Sequence, residues 1–208
     1  MNWVNKDTEI YCSFAKKAGN TGCQMMNSAF YYHGLNKIYK SFSVDNIKDA
    51  VNSVKTLNIK GFAITMPYKK EILKFVDEVD DSVRLIKDGI LKAYNTDFLA
   101  ARKFLQNYDY KLYFSNTYVL GNGGYAAAVK TAIKHYGIEP IVITRDNWHI
   151  IENIKDSLIY NCSPVENLPI HESNKFINCI VTTKTGLKLA TTQAAHQFKL
   201  YTGLKFPY

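Results

Sequence analysis

The sequence predicts an α/β protein of two units: an N-terminal α/β domain with a mostly parallel sheet, and a second, shorter unit of mononucleotide-binding type. Three observations predict it. Strand-like and helix-like segments alternate through the first 79 residues. Residues 117–121 form a strand-like stretch that runs straight into a glycine cluster and then into a helix-like stretch. The chain has 208 residues, 47% of them hydrophobic, which is enough to build a sizeable core.

Residues 9–14 are rich in strand formers. Residues 19–22 read as a loop, and residues 25–32 as a helix stopped near Gly34. Residues 37–42 read as a second strand. Over residues 44–57 the apolar positions Val44, Ile47, Val51, Val54 and Leu57 recur at helical spacing. Residues 61–65 make a short buried strand ended by Pro67, and residues 70–79 read as helix again. A βαβαβα run of this kind calls for a mostly parallel sheet covered by helices. Residues 94–105 read as a helical connection, with a domain boundary near residues 100–115. Beyond it come a strand at 117–121, a helix at 126–135 ended by Gly137, and a strand at 140–144. That order, with its glycine turn, is a mononucleotide-binding half.

Composition narrows the partners. The formal charge is +8, from 26 Lys plus Arg against 18 Asp plus Glu, which favours an anionic partner. Nucleic acid, a phosphorylated cofactor and a small carboxylate would all satisfy it. The basic residues are scattered, with no long run, no zinc-finger spacing and no RNP-like stretch, so no nucleic-acid partner is expected. Cys12, Cys23, Cys162 and Cys179 form no CxxC pair, the N-terminus has no apolar signal core, and no apolar run approaches the roughly 18 residues that span a bilayer. These features read as a soluble, cytoplasmic protein with reduced thiols and no membrane partner. His33, His135, His149, His171 and His196 are dispersed, so no metal is expected.

Three segments carry chemistry. In Val119-Leu120-Gly121-Asn122-Gly123-Gly124-Tyr125-Ala126, Gly121 permits a tight strand-to-helix turn. Gly123 and Gly124 let main-chain N–H groups approach a pyrophosphate at the positive end of the following helix. An ordinary glycine-rich turn would look the same. Arg145, after the next strand, can pair with a ribose 2′-phosphate or be a solvated surface arginine, and Asp146 beside it repels a phosphate. In Ile64-Thr65-Met66-Pro67-Tyr68-Lys69, Pro67 ends the strand and leaves Lys69 at the carboxyl end of the sheet, where ligands bind in open α/β folds. There it can exchange a proton with a substrate oxygen, or be one more exposed lysine. Tyr94-Asn95-Thr96-Asp97 offers two neutral hydrogen-bonding side chains and a carboxylate at a helix start, a place where Asp is most often an N-cap.

Together these segments resemble the shikimate dehydrogenase family. Its V-T-x-P-x-K motif appears as Ile64 to Lys69, its N-T-D motif as Asn95-Thr96-Asp97, and its G-x-G-G-x-A loop as Gly121 to Ala126. Gly34-Leu35-Asn36 followed by Tyr39 is similar to the family's G-L-N-x-x-Y. Gln193-Ala194-Ala195-His196-Gln197-Phe198 is similar to its closing Q-A-x-x-Q-F. The match is most like the shikimate dehydrogenase-like branch, in which the first substrate loop is not S-x-S-P.

The resemblance implies a substrate-binding and catalytic domain over residues 1–105, with a C-terminal helix at 186–208 packing back on it. A shortened Rossmann-like domain over residues 106–185 would bind NADP. It implies an NADP-dependent oxidoreductase of aromatic amino acid biosynthesis, interconverting 3-dehydroshikimate and shikimate or a close analogue by hydride transfer. Lys69 and Asp97 would be the catalytic pair. Asn20, Thr21, Thr65, Asn95 and Gln193 would bind a small-molecule carboxylate substrate, with Thr96 lining the site. Gly121, Asn122, Gly123, Gly124, Tyr125, Ala126, Arg145 and Asn161 would bind the cofactor. A homodimer is compatible with the family.

The chain also departs from the family pattern. The G-A-V-N-T segment before the N-T-D strand is missing, and Val83-Arg84-Leu85-Ile86 passes almost directly to Lys87-Asp88-Gly89. The stretch at 166–178 is short for the usual strands and helix. These departures keep a second reading open, a non-catalytic relative that binds a small molecule or a partner protein. An NAD-linked quinate dehydrogenase is a weaker third reading, which Arg145 disfavours.

Overall fold

The computed structural model describes residues 4–79, 85–87, 90–106 and 116–208. The chain divides into two compact units. The first comprises Met1–Thr96 and Ala194–Tyr208, and the second Asp97–Gln193.

The first unit holds β1 (Glu9–Ala15), α1 (Thr21–Tyr32), β2 (Lys37–Ser43), α2 (Ile47–Thr56), β3 (Gly61–Ile64), a 3₁₀ turn (Glu71–Phe75), β4 (Glu78–Val79), β5 (Leu85–Lys87) and β6 (Ile90–Ala93). The six strands form one sheet in the order β2-β1-β3-β5-β6-β4. β1 runs parallel to β2 and to β3, and β4 parallel to β6, while β5 is antiparallel to both its neighbours. β1, β2, β3, β4 and β6 therefore all point the same way. Successive side chains of β1 serve opposite faces. Cys12 and Phe14 join Phe62 and the α2 residues Ile47, Val51 and Val54 in one core. Tyr11 joins Met26, Ala29 and Phe30 of α1, Tyr39, Phe198, Tyr201 and Phe206 in another. α2 forms where the helical spacing of its apolar residues predicts. Its start is fixed by Asn46, whose Oδ1 accepts from Lys48 N (2.9 Å) and Asp49 N (3.3 Å).

The second unit holds α3 (Thr96–Leu105, whose first residue closes the first unit), β7 (Thr117–Leu120), α4 (Gly124–His135), β8 (Ile141–Ile143), a 3₁₀ segment (Arg145–Asn153), β9 (Leu158–Asn161) and β10 (Lys175–Asn178). α5 (Lys184–Thr202) starts here and belongs to the first unit from Ala194 onward. The sheet order is β10-β9-β7-β8, with every pairing parallel. On one face Val119, Leu158, Tyr160 and Ile177 pack with Phe98, Ala101 and Leu105 of α3 and with Ala126, Val129 and Ile133 of α4. On the other, Leu120, Ile143 and Ile159 pack with Ile151 and Ile154. Each face is covered, as a parallel sheet requires.

The α/β class with parallel sheets is as the sequence predicts, and two local expectations are revised. The helix expected over residues 70–79 is a 3₁₀ turn followed by a strand. Asp77 N donates to Leu91 O (3.1 Å), Leu91 N donates to Asp77 Oδ2 (2.8 Å), and β4 then pairs with β6, so the sheet draws this stretch into an extended form. α1 starts at Thr21, within the stretch read as a loop. β5, β9 and β10 are short strands that apolar periodicity leaves unmarked. No helix among the described residues is long and apolar enough to cross a membrane. No cluster of three or more His, Cys, Asp or Glu among them could hold a metal ion.

Candidate functional site

In the first unit, the predicted substrate residues leave the same end of the sheet. β1 and β3 are parallel neighbours, with Phe14 opposite Ile64. Lys16 N donates to Met66 O (3.3 Å) and Thr65 N to Phe14 O (3.0 Å), which ties the two departing loops together. Asn20 and Thr21 lie beyond β1, where Asn20 is the N-cap of α1 without a side-chain capping bond. Both are exposed. Thr65 is exposed too, and its Oγ1 accepts from Met66 N (2.6 Å). Lys69 follows Tyr68, which is buried and anchored by its hydroxyl to Val44 O (2.7 Å). That anchor on one side and the 3₁₀ turn on the other fix the main chain carrying Lys69, whose side chain is half-buried. Asn95, exposed, follows β6 at the same end of the sheet.

A polar seam that the sequence reading missed runs beneath α1. Cys23 Sγ contacts Ser41 Oγ (3.2 Å) and accepts from Ser41 N (3.2 Å), and Ser13 Oγ donates to Ser41 Oγ (3.0 Å). Ser13 also hydrogen-bonds the Tyr39 hydroxyl, whose pKa burial pushes up to about 12. Gln197 Nε2 donates to Tyr39 OH (3.4 Å) and to Tyr201 OH (2.7 Å), and burial raises the Tyr201 phenol well above its ordinary range. The two-residue spacing of Tyr39 and Ser41, which puts them on one face of β2, was the signal available for this seam. The cross-strand partners were not.

In the second unit, the predicted cofactor residues meet at the carboxyl ends of parallel strands. The chain passes from β7 outward to β8 and returns to β9 on the other side of β7. This reversal is the point where ligands bind in such sheets. Gly121, with φ +100°, turns the chain from β7 into the loop, and a Cβ there would lie 3.2 Å from the Cys162 carbonyl oxygen at the end of β9. Gly123 is the N-cap of α4, has no side-chain cap and is clear of neighbouring atoms, so the first main-chain N–H groups of the helix stand in an open cradle. Asn122 accepts from Lys130 Nζ (2.8 Å). Arg145 is exposed directly after β8, and Leu120 pairs with Ile143, so it emerges beside the glycine loop. Asp146 accepts from Thr144 Oγ1 (3.2 Å). This donor set suits a dinucleotide phosphate.

Three predicted cofactor residues turn inward. Ala126 is fully buried in the core beneath α4. Asn161 is fully buried, and its side chain is spent on the turn after β9. Its Oδ1 accepts from Ser163 N (3.0 Å) and Ser163 Oγ (2.6 Å), and its Nδ2 donates to Val165 O (2.8 Å) and Asn178 Oδ1 (3.2 Å). It thereby shapes the main chain against which Gly121 packs. The Tyr125 hydroxyl is buried beside the Cys179 and Cys162 thiols. Burial raises its pKa first, and the Cys179 and Cys162 thiols and the Asp97 carboxylate raise it further. Asp97, in the first turn of α3, and Gln193, on α5, are half-buried and belong to this second unit, whereas Lys69 belongs to the first.

Comparison with known proteins bears on the family and the fold. Residues 21–96 match the shikimate dehydrogenase substrate binding domain. A shikimate dehydrogenase-like protein of Haemophilus influenzae is 31% identical over 193 residues, covering 89% of this chain and 69% of the relative. The NADP(+) shikimate dehydrogenase of Methanosphaera stadtmanae is 29% identical over 191 residues, covering 84% of this chain, which spans only 65% of that relative. Among solved structures, a shikimate 5-dehydrogenase-like protein superposes with a TM-score of 0.82 at 26% identity, over 98% of this chain and 94% of the other. The Thermus thermophilus shikimate 5-dehydrogenase in complex with NADP(H) and shikimate shares the fold, with a TM-score of 0.78 at 20% identity over 95% and 94% of the two chains.

Proposed function

Because the chain belongs to the shikimate dehydrogenase family, we propose that it is an NADP-dependent oxidoreductase interconverting 3-dehydroshikimate and shikimate, or a close cyclic polyol carboxylate. The observation that carries this reading is the open N-terminus of α4 at the strand-order reversal of a parallel sheet, with Arg145 leaving the neighbouring strand.

In this reading the second unit binds the dinucleotide. The main-chain N–H groups around Gly123 and Gly124 receive the pyrophosphate, aided by the helix dipole of α4. Arg145 pairs with the ribose 2′-phosphate, which selects NADP over NAD. Asn161 holds the turn behind Gly121. The bound nicotinamide supplies or accepts the hydride. The first unit binds the substrate, with Asn20 and Thr21 donating to its carboxylate and Thr65 and Asn95 to its hydroxyls. Gln193 serves a further hydroxyl from α5. Lys69 delivers a proton to the ring oxygen as the ketone is reduced and takes it back in the reverse direction. Asp97 supplies a carboxylate that binds a ring hydroxyl.

Absorbance of the reduced nicotinamide tests this reading. The expected result is NADP+ reduction that depends on shikimate, and NADPH oxidation that depends on 3-dehydroshikimate. Absence of turnover together with absence of NADPH binding by calorimetry overturns it.

A further inference from the structure

Cys162 and Cys179 are the residues that immediately follow β9 and β10. These strands are parallel neighbours whose last residues, Asn161 and Asn178, stand opposite one another, and Cys179 N donates to Asn161 O (3.0 Å). The two cysteines thus occupy matching positions one strand-spacing apart. That spacing, about 4.8 Å, falls inside the range of roughly 4.4–6.8 Å that a disulfide spans between Cα atoms. The Cys179 thiol is near enough to the Cys162 thiol to raise its pKa. Both residues are partly exposed, and neither is in a disulfide.

Their surroundings connect them to the glycine loop. Cys162 N donates to Leu120 O (3.0 Å), and the Cys162 carbonyl is the group against which Gly121 packs. Tyr125, in the first turn of α4, packs against the same core cluster as both cysteines, and its buried hydroxyl lies near both thiols.

We propose that Cys162 and Cys179 are a redox-modification site, oxidised to a disulfide by hydroperoxides, and that the bridge weakens dinucleotide binding at the adjoining glycine loop. The second clause rests on the cofactor reading given above. One thiol, as its thiolate, attacks the peroxide oxygen and becomes a sulfenic acid as the O–O bond breaks and water or an alcohol leaves. The other thiol then attacks that sulfur, the S–S bond forms, and the sulfenic oxygen departs as water with the remaining proton. Two electrons pass from the sulfurs to the peroxide. Pulling the sulfurs together moves the Cys162 main chain, and Gly121 has no slack against it.

The groups facing the pair are the Tyr125 hydroxyl and the Lys130 ammonium from α4, with Asp97 of α3 acting on Tyr125. The Cys162 thiol is raised well above its ordinary range, first by its hydrogen bond with Cys179 and then by burial, while Lys130 opposes the shift. The attacking thiolate is scarce at neutral pH, so bridging accelerates as the pH rises.

The test oxidises the full-length protein with hydrogen peroxide at neutral and alkaline pH, maps the products by peptide mass spectrometry, and titrates each form with NADPH. The expected product is a Cys162–Cys179 cross-link that forms faster at alkaline pH, vanishes on dithiothreitol treatment and is absent from Cys162→Ser and Cys179→Ser. NADPH affinity of the bridged form should fall on the order of tenfold and recover on reduction. Oxidation or alkylation of Cys23 with no cross-link at Cys162 and Cys179 overturns the site. A cross-link that leaves NADPH affinity unchanged overturns the link to the loop. Failure of the reduced protein to bind NADPH defeats the cofactor reading instead, and the mass data still decide the thiol chemistry.

Discussion

Gly121 and Cys162 meet at the reversal point of the second sheet, where a Cβ on Gly121 would stand 3.2 Å from the Cys162 carbonyl oxygen. Gly121 also has φ +100°, a backbone conformation that a residue with a Cβ rarely adopts. Gly121→Ala is expected to cost about 1–3 kcal/mol of stability and to weaken NADPH binding. Urea unfolding and a fluorescence titration measure the two effects. Unchanged NADPH affinity would show that the loop is only a turn.

Lys69→Ala is expected to lower kcat on the order of 10²–10⁴-fold while leaving the circular dichroism spectrum unchanged. Tyr68 anchors this stretch through Val44 O, and that anchor is retained in the variant. Turnover equal to wild type would remove Lys69 from the proposed mechanism.

Arg145→Ala should weaken NADP+ binding by about 1.5–3 kcal/mol, the loss of a charge-assisted hydrogen bond. NAD+ binding should hardly change. Isothermal titration with both nucleotides decides this, and an equal loss for the two would mean that Arg145 does not read the 2′-phosphate.

Gln197→Leu removes the donor shared by two buried phenols, Tyr39 and Tyr201. A cost of about 1–3 kcal/mol is expected, since a buried polar group without its partner bears its desolvation alone. Denaturant unfolding reads it directly. A variant as stable as wild type would mean that the phenols find other partners.

Glu9 in β1 has its pKa lowered chiefly by the hydrogen bond from Lys37 in β2, with burial opposing the shift. A depressed carboxyl contributes stability above its unfolded pKa and loses it as the pH falls through the folded value. Lys37→Met should therefore be less stable than wild type at neutral pH, and the two should converge in acid below the ordinary glutamate range. Urea midpoints across that range test the sign. Because Glu9 is partly exposed, the gap is expected to be small and to shrink with salt.

The sequence by itself determined what depends on near neighbours along the chain. The period of Val44, Ile47, Val51 and Val54 specifies α2, because one face of a helix must be apolar to be buried. The glycines after β7 specify a turn open to a phosphate, because only residues without a Cβ let the main chain approach so closely. The lysine after Pro67 and the carboxylate in Asn95-Thr96-Asp97 were legible for the same reason. What only the tertiary structure decided depends on which strands lie side by side. Residues 76–79 became extended because Asp77 and Leu91 exchange hydrogen bonds across 14 residues. The Asn161 side chain found its partners in Ser163, Val165 and Asn178. Cys162 and Cys179, 17 positions apart, became partners because β9 and β10 pair in register. Such juxtapositions follow from long-range pairing, whose partners local periodicity does not encode.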